Sequence, residues 1–236
     1  MPKTAPRRRR QRGSIQPDDI VAGAFEIARE TSLDQLSMPA LAEHLDVGVT
    51  SLYWHFRKKE ELLNRMTDVA AETYLAQLPP ISGNQPWQDM LLEHFRNERK
   101  IYANDHLLAD LLLVRTSTWT RDTARRLFQV IEAIVSRLVE AGFTTEDALL
   151  IHNAASVYTR GITLHDRILR LSNSPTLDIG QRRIMSDWSS MPLLDSQLDR
   201  HPLAGTTNED FEFGMARLVC GFEALLAEKT GGTAAS

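Results

Sequence analysis

Apolar residues recur along this chain at intervals of three and four and nowhere in sustained alternation, so the pattern predicts helices throughout and no strand. Ile20, Ala24, Ile27 and Ala28 form the stripe of a first helix. Pro17, Asp18 and Asp19 supply a first turn that suits the helix dipole, and the pattern runs to about Glu30. Met38, Leu41, Ala42 and Leu45 give one face of a short second helix, with Ser37 as N-cap and Pro39 in the first turn, where no N–H is needed. Asp46-Val47-Gly48 interrupts it, and Gly48 is expected to take the positive φ of the turn. A third short helix follows through Thr50, Ser51, Leu52, Tyr53, Trp54 and His55, which makes a helix-turn-helix. Leu62, Leu63, Met66, Val69, Ala70, Thr73 and Tyr74 then continue as a connector helix to about residue 78, until Pro79-Pro80 stops the chain.

Beyond that boundary, Pro86 opens a helix through about Tyr102. The stretch from Arg121 to Glu140 carries Leu127, Val130, Ile131, Ile134, Val135 and Leu138 on one face before a stop at Gly142. Thr145 to Leu171 differs in having two neighbouring stripes. Leu150, Ala154, Val157, Gly161, Leu164 and Ile168 form one; Ile151, Ala155, Tyr158, Ile162 and Leu169 form the other, so this helix is expected to be covered on two sides. Residues 172–208 are rich in Ser, Asn, Pro and Asp and predict long loops around one short helix from Gln181 to Ser190. A last helix, Glu209 to Glu228, presents Phe211, Met215, Leu218, Phe222 and Leu225.

Composition changes this picture in two places. The 236 residues carry a net charge of −4, yet residues 1–65 hold 11 Lys and Arg against 9 Asp and Glu, so the excess of +2 there is offset by −6 in the rest. Residues 1–14 lack apolar periodicity, contain Arg7, Arg8, Arg9, Arg10 and Arg12, and read as a disordered basic arm. The expected organisation is this arm, a helix-turn-helix domain over 15–65 with its connector to 78, and a larger helical domain over 81–230. The single cysteine, Cys220, excludes an intrachain disulfide and a cysteine zinc cluster and reads as a buried thiol in an apolar helical run. A reducing cytoplasm fits, and neither a signal peptide nor a membrane span is predicted, because the apolar run Leu107 to Val114 is broken by Asp110.

The third helix offers small hydroxyls, aromatics and an imidazole beside Arg57-Lys58-Lys59, groups suited to base edges and phosphates. Thr50, Ser51, Tyr53, Trp54 and His55 are therefore candidate DNA contacts, with some packing expected of Trp54 and Phe56. The arginines of the arm suit phosphates or a minor groove, or serve only as a solubilising tail. His94 and Glu98 lie at 3/4 spacing with Trp87, Met90, Leu91 and Ile101, which puts two ionisable groups on a face that should be buried. They either pair with each other or across a domain interface, or they line a ligand cavity. Arg115, Trp119, His152, Asn153, Ser156 and His165 are weaker candidates for the same cavity. No phosphate loop, nucleophile motif, cofactor motif or metal cluster is present, so no cofactor and no enzymatic activity are predicted.

On Leu52-Tyr53-Trp54-His55, Lys59-x-x-Leu62-Leu63, Pro86-Trp87-Gln88-Asp89, Ala141-Gly142-Phe143, Gly161, Phe213-Gly214 and Cys220-Gly221-Phe222-Glu223, the chain resembles the TetR family of transcriptional regulators, in its tetracycline-repressor-like branch. The resemblance implies an all-helical homodimer on a palindromic double-stranded DNA operator, with a larger domain that binds an effector and dimerises through the 145–171 and 209–228 helices. It also implies roles at or near bases and phosphates for Gly48, Val49, Thr50, Ser51, Tyr53, Trp54 and His55 and at the backbone for Lys59. Two departures matter. Pro39 stands where the tetracycline repressor has a base-reading Arg, and Leu112 and His165 replace its metal-binding His and metal-linked Glu. The implied effector is therefore a small, mostly apolar molecule bound without metal. The alternative is a DNA-binding structural or protein-recruiting factor of the same fold with no small ligand.

Overall fold

The computed structural model describes residues 15–81, 83–115, 119–171, 179–184, 186–201 and 206–232, and the basic arm with its five arginines lies outside them. Among the described residues there is no strand. The helices are α1 (Pro17–Glu30), α2 (Met38–His44), α3 (Val49–His55), α4 (Lys59–Gln77), α5 (Trp87–Asn104), α6 (His106–Ala109), α7 (Arg121–Glu140), α8 (Thr145–Leu171), α9 (Ile179–Ile184), α10 (Pro192–Asp195) and α11 (Asn208–Gly232). A π-helical turn, Asp110–Val114, follows α6, and a 3₁₀ turn, Trp188–Ser190, precedes α10.

The chain divides into two compact units. The first contains the residues up to Gln77 and also Leu107–Leu127, a segment that the sequence pattern assigns to the larger domain. Its helices start as their residues dictate. Pro17 opens α1, whose first-turn Asp19 carboxylate accepts from the Gln16 N–H at 3.1 Å, and the Ser37 hydroxyl caps α2 by accepting from the Ala40 N–H at 3.2 Å. Ile20, Ala24, Leu41, Leu52, Leu62 and Met66 are fully buried and knit α1 to α4 together. The turn between α2 and α3 differs from the expectation. Gly48 has an ordinary φ of −75°, and Asp46 instead takes the left-handed conformation at φ 54°, a region that Asp tolerates better than bulkier residues.

The second unit contains Leu78–His106 and the chain from Phe128 onward. Its core joins Trp87, Met90, Leu91 and Phe95 of α5 to Ile134, Val135 and Leu138 of α7, to Ala148, Ile151 and Ala155 of α8, and to Phe211, Met215 and Val219 of α11. Gly142 ends α7 at φ 110°, a left-handed conformation favoured by glycine, and turns the chain so that Phe143 meets Trp87 edge-on at 5.1 Å. Only one of the two α8 stripes is covered: Ile151 and Ala155 are buried, whereas Leu150, Val157 and Ile168 are each more than 60% exposed. Cys220, expected to be buried, is exposed on α11. The predicted single helix over 181–190 is replaced by the end of α9 and the separate 3₁₀ turn, while the last helix extends beyond its predicted ends.

Candidate DNA-reading helix and ligand site

α3 has a single buried residue, Leu52, which anchors it, while Phe56 just beyond it is also buried. Gly48, Thr50 and His55 are exposed, Val49 and Ser51 are half-buried, Tyr53 is 45% exposed and Trp54 is 87% exposed. Trp54 therefore contributes almost nothing to packing, contrary to the expectation. A large indole held out in water on a seven-residue helix is costly to keep exposed, and it is available to another surface. Lys59 opens α4 beside this surface, half-buried, with its ammonium donating to the Leu33 carbonyl at 3.4 Å. The Glu61 carboxylate accepts from the Arg57 N–H at 2.8 Å and so fixes the loop that joins α3 to α4.

In the second unit, His94 and Glu98 are buried side by side on α5, at 7% and 2% exposure. Glu98 faces α8, where the Arg160 guanidinium lies 3.6 Å from its carboxylate. His94 has no hydrogen-bond partner among the described residues. Its ring packs edge-on to Phe95 at 4.9 Å and lines a shallow cleft open to solvent, of about 10 Å³, with Met90, Glu93 and Asn97 of α5 and with Pro79, Pro80, Ile81 and Gln85 of the preceding linker. Burial, reinforced by neighbouring His152, lowers the His94 pKa to about 4. Burial together with the positive charge of Arg160 lowers that of His152 to about 4 as well. Both imidazoles are thus neutral at pH 7, each with one N–H to donate and one bare nitrogen to accept. Ser156 is buried one turn along α8 from His152, whereas His165 and Asn153 are exposed on the same helix.

The remaining candidates fall in the first unit. Leu112 is half-buried in the π-helical turn, Trp119 is 41% exposed, and Arg115 is bonded to Glu60 of α4. The sequence pattern had not singled out Glu60, Asn64, Asp68, Arg160 or Thr120. The one visible signal was Asp68, a carboxylate inside the apolar run of α4. Among the described residues no group of three His, Cys, Asp or Glu could hold a metal ion, and no helix is long and apolar enough to cross a membrane.

Residues 20–66 match the family model of bacterial regulatory proteins, tetR family, and residues 79–226 match that of the tetracyclin repressor-like C-terminal domain. The chain belongs to the TetR family. It is 42% identical to an HTH-type transcriptional repressor of Mycobacterium tuberculosis over 89% of this chain and 80% of that one. Among solved structures, a possible TetR family transcriptional regulator from Streptomyces coelicolor superposes with TM-score 0.68 at 25% identity, covering 89% of this chain and all of the other. The TetR family protein ActR of Streptomyces coelicolor, in complex with actinorhodin, shares the fold with TM-score 0.65 at 22% identity over 90% and 98% of the two chains. The two matched TetR-family segments account for both ends of the architecture: a helix-turn-helix domain followed by a larger helical domain. Together they make the chain a transcriptional regulator, not an enzyme.

Proposed function

We propose that this TetR-family chain is a homodimeric repressor that reads a palindromic operator with α3 and leaves it when a small, mostly apolar effector binds near His94 and Glu98. The exposed Tyr53-Trp54-His55 face carries the DNA half of the reading, since Trp54 is 87% exposed, Tyr53 is 45% exposed and their groups match those that contact bases and phosphates. The open apolar stripes Leu150, Val157 and Ile168 on α8 and Phe213 on α11 support the dimer, because a second copy would cover them. A symmetric pair of reading helices then requires half-sites about 10 bp apart, or a multiple of that.

The ligand half rests on His94, a buried imidazole with no hydrogen-bond partner among the described residues, beside an open cleft. The neutral imidazole of His94, with that of His152 beside it, suits hydroxyl, carbonyl or amide groups on an otherwise apolar molecule, and actinorhodin bound to ActR gives a TetR-family protein with a small-molecule ligand. Leu112 offers no metal ligand, so the effector acts without one. Release requires that the effector favour the DNA-incompetent arrangement by roughly 1–3 kcal/mol.

The test is a thermal-shift screen of uncharged polycyclic compounds, since a ligand that binds the folded form raises its stability. Each hit is followed by fluorescence anisotropy on an operator selected from random duplex DNA. A hit that releases wild-type protein but not His94→Ala supports the reading. Release of the variant at the same concentration removes His94 from the site. Deleting residues 1–12, which carry six cations, is expected to make the salt dependence of operator binding shallower by a few units per dimer if the arm contacts phosphates.

A further inference from the structure

The cleft beside His94 is made wholly within the second unit, by α5 and by the stretch of chain that leads into it. At about 10 Å³ it is at the limit of what one water needs, whereas a cavity that admits a single benzene ring measures about 150 Å³. A polar seat is nevertheless ready. The His94 imidazole is 7% exposed, lines the cleft and has no hydrogen-bond partner among the described residues. What takes up the room beside that seat is the protein's own chain: Ile81, half-buried, lines the same cleft and packs against the hydrophobic core of the unit.

Ile81 and the two residues before it are lightly held. Pro79 and Pro80 are exposed and have no N–H to donate, and neither they nor Ile81 makes a hydrogen bond among the described residues. Their hold on the unit is the apolar contact of Ile81, whereas Gln85 further on is tied down by the Arg137 guanidinium, which donates to its carbonyl at 3.0 Å. An apolar contact is non-directional, so another apolar group can replace it without leaving a buried polar group unpaired. Two successive prolines with fixed φ make the piece stiff, so that it seats or lifts as one.

We propose that Ile81 plugs the effector site: its side chain occupies the place of the effector's apolar body, and the site opens when Pro79, Pro80 and Ile81 lift from α5. The inference rests on the effector reading above and adds that ligand and side chain compete for one seat. The apparent affinity is then the intrinsic one reduced to the fraction of molecules in which the plug is out. The test uses the full chain and 1-naphthol, an uncharged bicyclic probe with one hydroxyl for His94, followed by calorimetry at pH 7. Ile81→Ala and Ile81→Val, which shrink the plug, are expected to bind the probe more tightly than wild type, by about tenfold for Ala and by less for Val. Ile81→Phe, which enlarges it, should bind about tenfold more weakly. The His94→Ala substitution, alone and together with Ile81→Ala, should abolish binding, which places the probe at this seat. A merely structural isoleucine gives the opposite sign, because its truncation would loosen the unit and lower melting temperature and affinity together. If Ile81→Ala does not fold, Ile81→Val and Ile81→Phe decide by the same order. His94-dependent binding that is equal or weaker in the shrunken variants, or unchanged in Ile81→Phe, overturns the plug and leaves the effector reading in place. Absence of His94-dependent binding in both wild type and the shrunken variants removes the seat at His94 and the inference with it.

Discussion

Gly214 and Tyr158 occupy one another's space. A β-carbon added at Gly214 of α11 would stand 2.0 Å from the Tyr158 hydroxyl oxygen and 2.3 Å from its ring carbon Cζ, far inside contact distance. The absence of a side chain lets the phenol of α8 cross over α11, stack on Phe211 with ring centroids 5.9 Å apart and donate to the Asp210 carbonyl at 2.8 Å. Gly214→Ala is expected to destabilise the fold by about 2–3 kcal/mol through overpacking. Tyr158→Phe should cost only about 1 kcal/mol by losing one hydrogen bond. Urea unfolding of both, and of Gly214→Ala with Tyr158→Ala, checks the geometry: the double variant should recover part of the glycine penalty, and strict additivity would contradict the clash.

The reading helix gives the opposite expectation, a loss of function without a loss of stability. Tyr53, Trp54 and His55 are exposed and lie on a helix anchored by Leu52 alone, so replacing each with Ala removes little buried surface. Melting temperature should stay within about 2 °C of wild type, in keeping with surface substitutions of under about 0.5 kcal/mol. Operator affinity should fall by about 1–3 kcal/mol for Tyr53→Ala and His55→Ala. Anisotropy at one fixed salt concentration measures both, and unchanged affinity would take α3 out of the DNA contact.

Stability should fall between pH 6.5 and 4 for a reason internal to the second unit. His94 and His152 each have an ordinary value of 6.5 and a folded value of about 4, both chiefly through burial. The unfolded chain takes up protons as pH drops through 6.5, while the folded chain does so only near 4. The stabilising difference is thus complete above 6.5 and is lost across that window. For His94, which is almost fully buried, the gap from 6.5 to about 4 corresponds to about 3 kcal/mol. The lowered carboxylates of Asp147 and Asp210 act below their ordinary value of 3.8 and do not overlap this range. Urea midpoints at pH 7, 5.5 and 4.5 should drop steeply in wild type and less steeply in His94→Gln. Parallel profiles would mean that His94 titrates normally in the folded protein.

Much of this architecture was legible because it is written in periodicity. The bounds of α7 and α8 follow from stripes that run from an acidic first turn to Gly142 and to Leu171, and the helix-turn-helix follows from Ser37, Pro39 and the spacing of Met38, Leu41 and Ala42. What was not legible depends on which partner fills a surface. The bonds that tie Arg115 to Glu60 and Thr120 to Asp68 of α4 join residues about 50 positions apart, which no local pattern reports. A pair between Glu98 and His94, four residues apart, was one of the alternatives open from the spacing, whereas a charge that meets Glu98 is Arg160 on another helix. The turn before α3 misled because glycine is the general answer for positive φ, and Asp46 supplied it instead.

The uncovered stripe of α8 leads to a last expectation. Leu150 and Val157 are seven residues apart and therefore share a face, and both are more than 60% exposed in the single chain, as is Phe213 on α11. Gly161 and Gly221 also present open space where a side chain would stand, which leaves room for another backbone to approach closely. Apolar surface of this kind, left in water, is unfavourable by roughly 25 cal/mol for each Å² that a partner would cover. Val157→Glu places a charge in that face, and burying it without a counter-charge would cost several kcal/mol. The variant should sediment as a monomer at micromolar concentration, keep the helical content of wild type, and lose affinity for a palindrome much more than for a single half-site. Wild-type protein that sediments as a monomer would remove the dimer reading, and a Val157→Glu variant that remains a dimer would move the interface away from this face of α8.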